Sequence, residues 1–150
     1  MISKKLNLKF LDIDNIIEKK AGTKISNIFE EKGENYFRNL EEKITLKLLK
    51  NTVKSNVISL GGGGFINEKI RKEVLINHYS FWLDWDVEVL LERIKNSKKR
   101  PLAFKSTNQE IIDIIKKRSR IYSKAKFKID CNKLSKSEIV KKVIKTYEIN

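Results

Sequence analysis

Two carboxylates, Asp12 and Asp14, follow the short apolar run at residues 7–11 (NLKFL). Residues two apart share a face on an extended strand end. Such a pair can hold Mg²⁺ through water and accept a proton from a substrate hydroxyl. The alternative is that Asp14 only caps a helix beginning at Asn15. A second apolar run, residues 57–60 (VISL), stops at the glycines Gly61, Gly62, Gly63 and Gly64. They do not form a Walker loop, because no Gly-Lys-Ser/Thr occurs in the chain. Consecutive glycines after a buried strand instead suit close approach of backbone to a ligand. Arg38, Arg100, Arg118 and Arg120 stand apart from a lysine-rich background. The planar fork of arginine fits carboxylate and phosphoryl groups, although each of these residues taken singly also reads as a solvated surface charge. Arg38 lies one helical turn before Glu41 and Glu42, so a carboxylate can orient it.

The elements that must position these residues follow from hydrophobic spacing. Residues 7–11 read as a buried strand, 15–20 as a short helix closed by Gly22, and Thr23 as the cap of a second helix ending at Gly33. A longer helix spans about 34–50, with Phe37, Leu40, Ile44 and Leu48 on one stripe. The strand at 57–60 leads into a backbone-dominated glycine loop, then a helix over 68–76. Residues 79–83 (YSFWL) have strand composition, and Asp86 can cap the helix after them. Residues 96–108 (NSKKRPLAFKSTN) are polar and basic and contain the only proline, which reads as a mobile loop, a lid at about 97–108 carrying Arg100. A helix over 109–125, a strand at 127–129 and a last helix opened by the Ser135-x-x-Glu138 capping box complete the chain. Apolar strands alternating with helices predict an α/β fold, a parallel sheet with helices on both faces, in a single domain over residues 1–150.

Composition narrows the function classes. The chain has 150 residues, 40% hydrophobic, enough for one domain with a sizeable core. Its formal net charge of +14 is spread over every segment. No aromatic-interleaved basic stripe or zinc-ligand cluster accompanies that charge, so a basic nucleic-acid-binding domain is the weaker reading and no nucleic-acid partner is expected. No apolar run approaches the length of a membrane span, and the start MISKKLNLKF lacks a signal-peptide core. With one cysteine, Cys131, an internal disulfide is impossible. A soluble cytoplasmic monomer is expected, with Cys131 an ordinary small residue.

Several stretches, taken in order, carry a resemblance: FLDIDNIIEKKAGTKISNIFEEKGENYFRNLEE, VISLGGGGF, RPL and the run from Arg118 to Tyr122. Together they resemble the shikimate kinases along essentially the whole chain. The resemblance implies a P-loop nucleoside-monophosphate-kinase-like fold, shikimate and ATP as substrates with Mg²⁺ as cofactor, and transfer of the γ-phosphoryl group to a shikimate hydroxyl on the route to chorismate and the aromatic amino acids. It implies that Asp12 helps to place Mg²⁺ through water and that Asp14 binds the ring hydroxyls and activates the attacking one. Arg38 and Arg118 would grip the substrate carboxylate, with Glu41 orienting Arg38. Gly61, Gly62 and Gly63 would present backbone to the substrate. Arg100 would close over the transferring phosphoryl group and Arg93 would pack near adenine. Thr45, where an aliphatic residue is expected, and Ala103, where leucine is usual, depart mildly from the pattern.

In the family pattern a buried strand, a Walker loop and a helix come first, and Met1 falls inside that helix. About twenty residues of the pattern are therefore unmatched. The expectation is that Met1 is an internal methionine and that the 150-residue polypeptide made alone binds ATP weakly and is poorly stable. A non-catalytic shikimate-binding remnant is the alternative; another small-molecule kinase, such as a gluconate kinase, is a further one.

Overall fold

A computed structural model describes residues 1–51, 55–96 and 106–150. They fall into two compact units, Met1–Tyr79 and Ser80–Asn150.

In the first unit, helix α1 (Ile2–Lys5) precedes strand β1 (Lys9–Asp12), helix α2 (Ile13–Ala21) and the long helix α3 (Ile25–Lys50). Strand β2 (Asn56–Ser59) leads into the single helical turn α4 (Gly61–Gly64) and then helix α5 (Glu68–Asn77). β1 and β2 pair in parallel from Lys9↔Asn56 to Asp12↔Ser59. The two strands therefore end level, and the chain leaves both at the same edge. α2 closes at Gly22 as the sequence predicts. α3 is two helices joined at Gly33, whose backbone is non-helical, which matches the two helices read from the sequence.

Two caps differ from expectation. α2 starts two residues earlier than predicted because Asp12, not Asp14, is its N-cap: Asn15 N–H donates to Asp12 Oδ1 at 3.1 Å. Thr23 does not cap α3; Lys24 occupies that position without a side-chain bond. Glu18 instead accepts from Ile25 N–H at 3.1 Å and from Lys24 Nζ at 2.9 Å, tying α2 to the start of α3. The core of the unit joins Ile13 and Ile17 of α2 to Ile28, Phe37 and Ile44 of α3, with Ile58 and Leu60 packed against them. Burying each such side chain stabilises the fold by about 1.5–3 kcal/mol, so this cluster holds α2 and α3 against the strand ends.

The second unit contains strand β3 (Phe81–Asp84), helix α6 (Val87–Lys95), helix α7 (Asn108–Tyr122), strand β4 (Phe127–Asp130) and helix α8 (Lys136–Ile149). β3 and β4 also pair in parallel, Phe81↔Phe127 to Asp84↔Asp130, with the two phenylalanine rings stacked 5.0 Å apart. Ser80 Oγ accepts from Lys126 N–H at 2.9 Å and aligns the start of the pair. α8 opens with the predicted Ser135–Glu138 capping box. α7 has one too, Thr107–Glu110, which the sequence reading of that helix did not name. Asp86 sits at the N-cap of α6 without a side-chain cap bond, and its N–H donates to Asn132 Oδ1 at 2.8 Å. Cys131 is fully buried with Sγ 3.3 Å from Ile129 O, and burial, with the nearby Asp130 and Asp84, pushes its thiol pKa up, the opposite of what a reactive thiol requires. Among the described residues, no helix is long and apolar enough to cross a membrane.

Candidate active site

The level ends of β1 and β2 bring the carboxylates and the glycines together. Asp14 lies in the first turn of α2, two residues beyond the cap, so it no longer shares a strand face with Asp12. Its carboxylate is directed at Gly61, where an added Cβ would stand 3.1 Å from Oδ1 and 3.2 Å from Oδ2. Gly61 has φ +66°, a conformation that side chains rarely adopt. The backbone thus favours glycine there, and any side chain would also oblige the Asp14 carboxylate to shift slightly. The predicted loop is in fact a tight helical turn, in which Gly64 is buried and Gly61 and Gly62 are exposed.

Arg38 reaches the same turn from α3. An added Cβ on Gly63 would overlap Arg38 Nη1, so the guanidinium lies directly on that glycine. Its other contacts fix the fork: Nη1 donates to Glu41 Oε2 at 2.8 Å, while Nε and Nη2 both donate to Glu34 Oε1 at 3.2 Å. Glu41 is 3% exposed, and its charge is compensated at close range by Arg38. Burial pulls the Arg38 pKa down, but the bonds to Glu41 and then Glu34 outweigh it and hold the pKa above its ordinary value. Phe37 lends a ring 5.1 Å below the guanidinium and contacts Phe29 at 4.8 Å. The sequence reading used Phe37 only as core and overlooked Glu34; its i,i+4 spacing to Arg38 was the available signal.

Asp12 spends one carboxylate oxygen on the cap of α2. Among the described residues, no group of three His, Cys, Asp or Glu is placed to hold a metal ion directly. Mg²⁺ ordinarily keeps several waters and uses one or two carboxylates with substrate phosphates, so Asp12 fits a water-mediated contact rather than a dedicated cage.

The remaining sequence-predicted residues belong elsewhere. Arg93, exposed on α6, stacks on Trp85 at 3.8 Å. Arg118 is half-buried on α7 of the second unit. Arg100, and with it residues 97–105 of the expected lid, lies outside the described residues; Thr107 and Asn108 already belong to the start of α7.

A carboxylate and a carboxylate-oriented arginine thus face one glycine turn, pairing a hydrogen-bond acceptor with a cationic fork. The family model described as shikimate kinase matches residues 1–148. The chain belongs to the shikimate kinase family. The shikimate kinase of Persephonella marina is 39% identical over 145 residues, 96% of this chain and 86% of that protein. The crystal structure of the Aquifex aeolicus shikimate kinase matches with TM-score 0.80 at 36% identity, covering 98% of this chain and 85% of that one. The Acinetobacter baumannii shikimate kinase in complex with shikimate matches with TM-score 0.89 at 29% identity, covering 99% and 83%. The fold, parallel strands flanked by helices, is accordingly that of the shikimate kinases, P-loop nucleoside-monophosphate-kinase-like.

Proposed function

We propose that the chain binds shikimate at the glycine turn and serves phosphoryl transfer from ATP to a shikimate hydroxyl, as one cytoplasmic, monomeric kinase domain on the route to chorismate. The observation that carries this reading is the convergence of Asp14 and Arg38 on Gly61–Gly64. Arg38, held by Glu41 and Glu34, offers a fixed cationic edge to the substrate carboxylate. The family resemblance alone assigns Arg118 to that carboxylate. Asp14 accepts hydrogen bonds from ring hydroxyls and takes the proton of the one that attacks. Gly61, Gly62 and Gly63 present backbone to the substrate, with Asp14 and Arg38 packed directly on the first and third of them. Arg100 supplies positive charge to the transferring group and Arg93 lies by the adenine. Mg²⁺, held through water by Asp12, neutralises phosphate charge when bound.

Calorimetric titration with shikimate, and with gluconate as the rival anion, tests the reading. Shikimate alone should bind, and Arg38→Ala should weaken it by roughly tenfold or more through loss of charged hydrogen bonds. In steady-state assays of a complete enzyme, one that includes the family's Walker loop, Arg100→Ala should lower kcat by about 10³, with little change in shikimate binding. Preference for gluconate, or an Arg38→Ala variant that binds shikimate normally, would sink it.

A further inference from the structure

A run of four glycines has the most conformational freedom to lose and no side chains with which to pack, so its position must be set from its two ends. At the entry this is done by β2, registered on β1. At the exit the structure uses four side chains outside the residues assigned above. Arg71, in the first half of α5, reaches back so that its Nη1 donates to Phe65 O at 3.2 Å and to Ile66 O at 2.8 Å. Asn67 caps α5, its Oδ1 accepting from Lys69 N–H at 3.0 Å and Ile70 N–H at 3.1 Å. The same Asn67 amide donates through Nδ2 to Glu42 Oε2 at 2.7 Å, while Lys69 Nζ donates to Glu42 Oε1 at 2.7 Å.

Two backbone bonds join this exit to the glycines: Ile66 N–H to Gly63 O at 3.0 Å and Asn67 N–H to Gly64 O at 3.2 Å. The other end of the brace is α3. Glu41 and Glu42 are consecutive there; the first holds Arg38 and the second holds the cap of α5. The helix that aims Arg38 is therefore the helix that anchors the glycines on which Arg38 lies. A displacement of the exit would move Gly63 relative to the guanidinium, and binding geometry is sensitive to shifts of about 1 Å.

We infer that Arg71, acting with Glu42 through Asn67, is a positioning residue for substrate binding: it touches no substrate and holds Gly61–Gly64 against Arg38. The inference rests on the reading of this turn as the shikimate site.

The test uses the full chain with Arg71→Met, Arg71→Lys and Glu42→Gln, and two readouts: amide hydrogen exchange by residue and calorimetric binding of shikimate. Arg71→Met should accelerate exchange at Gly62, Gly63 and Gly64 by at least about tenfold without equal acceleration in α2, and weaken shikimate by roughly tenfold. Arg71→Lys, which keeps one donor group, should recover part of both. Exchange and affinity within about twofold of the parent in a folded Arg71→Met chain would overturn the assignment. If that variant does not fold, Glu42→Gln, a change at a half-exposed position, is judged by the same two readouts. If the parent itself fails to bind shikimate, the functional reading falls, and the exchange data alone then decide the brace: acceleration at the glycines upholds it and parent-like exchange overturns it.

Discussion

The Arg38 guanidinium lies against Gly63 so closely that a methyl group on that glycine would overlap Nη1, the same nitrogen that donates to Glu41 at 2.8 Å. The overlap falls on the far end of a long side chain, so the fold can absorb it by moving Arg38 away. Gly63→Ala should therefore leave a folded protein, its thermal midpoint lowered by only a few degrees, while shikimate affinity falls by roughly tenfold as the fork leaves its two carboxylates. Calorimetry beside a thermal melt separates the two effects; equal affinity in parent and variant would show that the guanidinium is not a substrate contact.

Asp12 has two assigned jobs, and one pair of substitutions separates them. Asn caps a helix as well as Asp, so Asp12→Asn should keep the bond from Asn15 N–H and the parent melting temperature. Asp12→Ala should lose about 1 kcal/mol of stability. In a complete enzyme that includes the family's Walker loop, both should raise the Mg²⁺ concentration needed for half-maximal phosphoryl transfer. A loss of stability in Asp12→Asn as large as in Asp12→Ala would mean that charge, not the cap, holds α2.

Thr45 is fully buried on α3, and among the described residues its Oγ1 has no hydrogen-bond partner. An unpaired buried hydroxyl is destabilising, and valine fills the same space with a methyl group. Thr45→Val should raise stability by about 1 kcal/mol, a shift of roughly 2–5 °C in the thermal midpoint. Chemical denaturation should move its midpoint with no change of slope.

Acid should loosen specific ties. Bonds from Lys69 and then Asn67 hold the Glu42 carboxyl below its ordinary value of 4.5, and the Thr107 and Ser135 caps do the same for Glu110 and Glu138. A depressed folded pKa means that the stabilisation is present above the unfolded value and disappears as pH falls through the folded one. Melting temperature should thus decline as pH drops below about 4.5. Glu110→Gln and Glu138→Gln, which keep the capping box without the charge, should decline less steeply. Arg38 has the opposite sign and a pKa already beyond working pH, so its pairing with Glu41 persists throughout the neutral range.

What could be read directly from the sequence was whatever depends on neighbours within a turn or a strand. The i,i+3 spacing of Arg38 and Glu41, the break at Gly33 and the Ser135–Glu138 box are of this kind. Local geometry fixes which residues face each other over such distances, whatever the rest of the chain does. The tertiary structure decided the rest. Whether Asp12 or Asp14 caps α2 turns on where the strand ends, and that is set by pairing with β2. Glu42 meets Asn67 across 25 positions only because α3 packs on α5. Likewise, Asp14 and Arg38 become one site only because β1, β2 and α3 bring three separate segments to one turn of glycines, a juxtaposition that burial of Ile13, Ile17, Ile28 and Phe37 creates and no local spacing encodes.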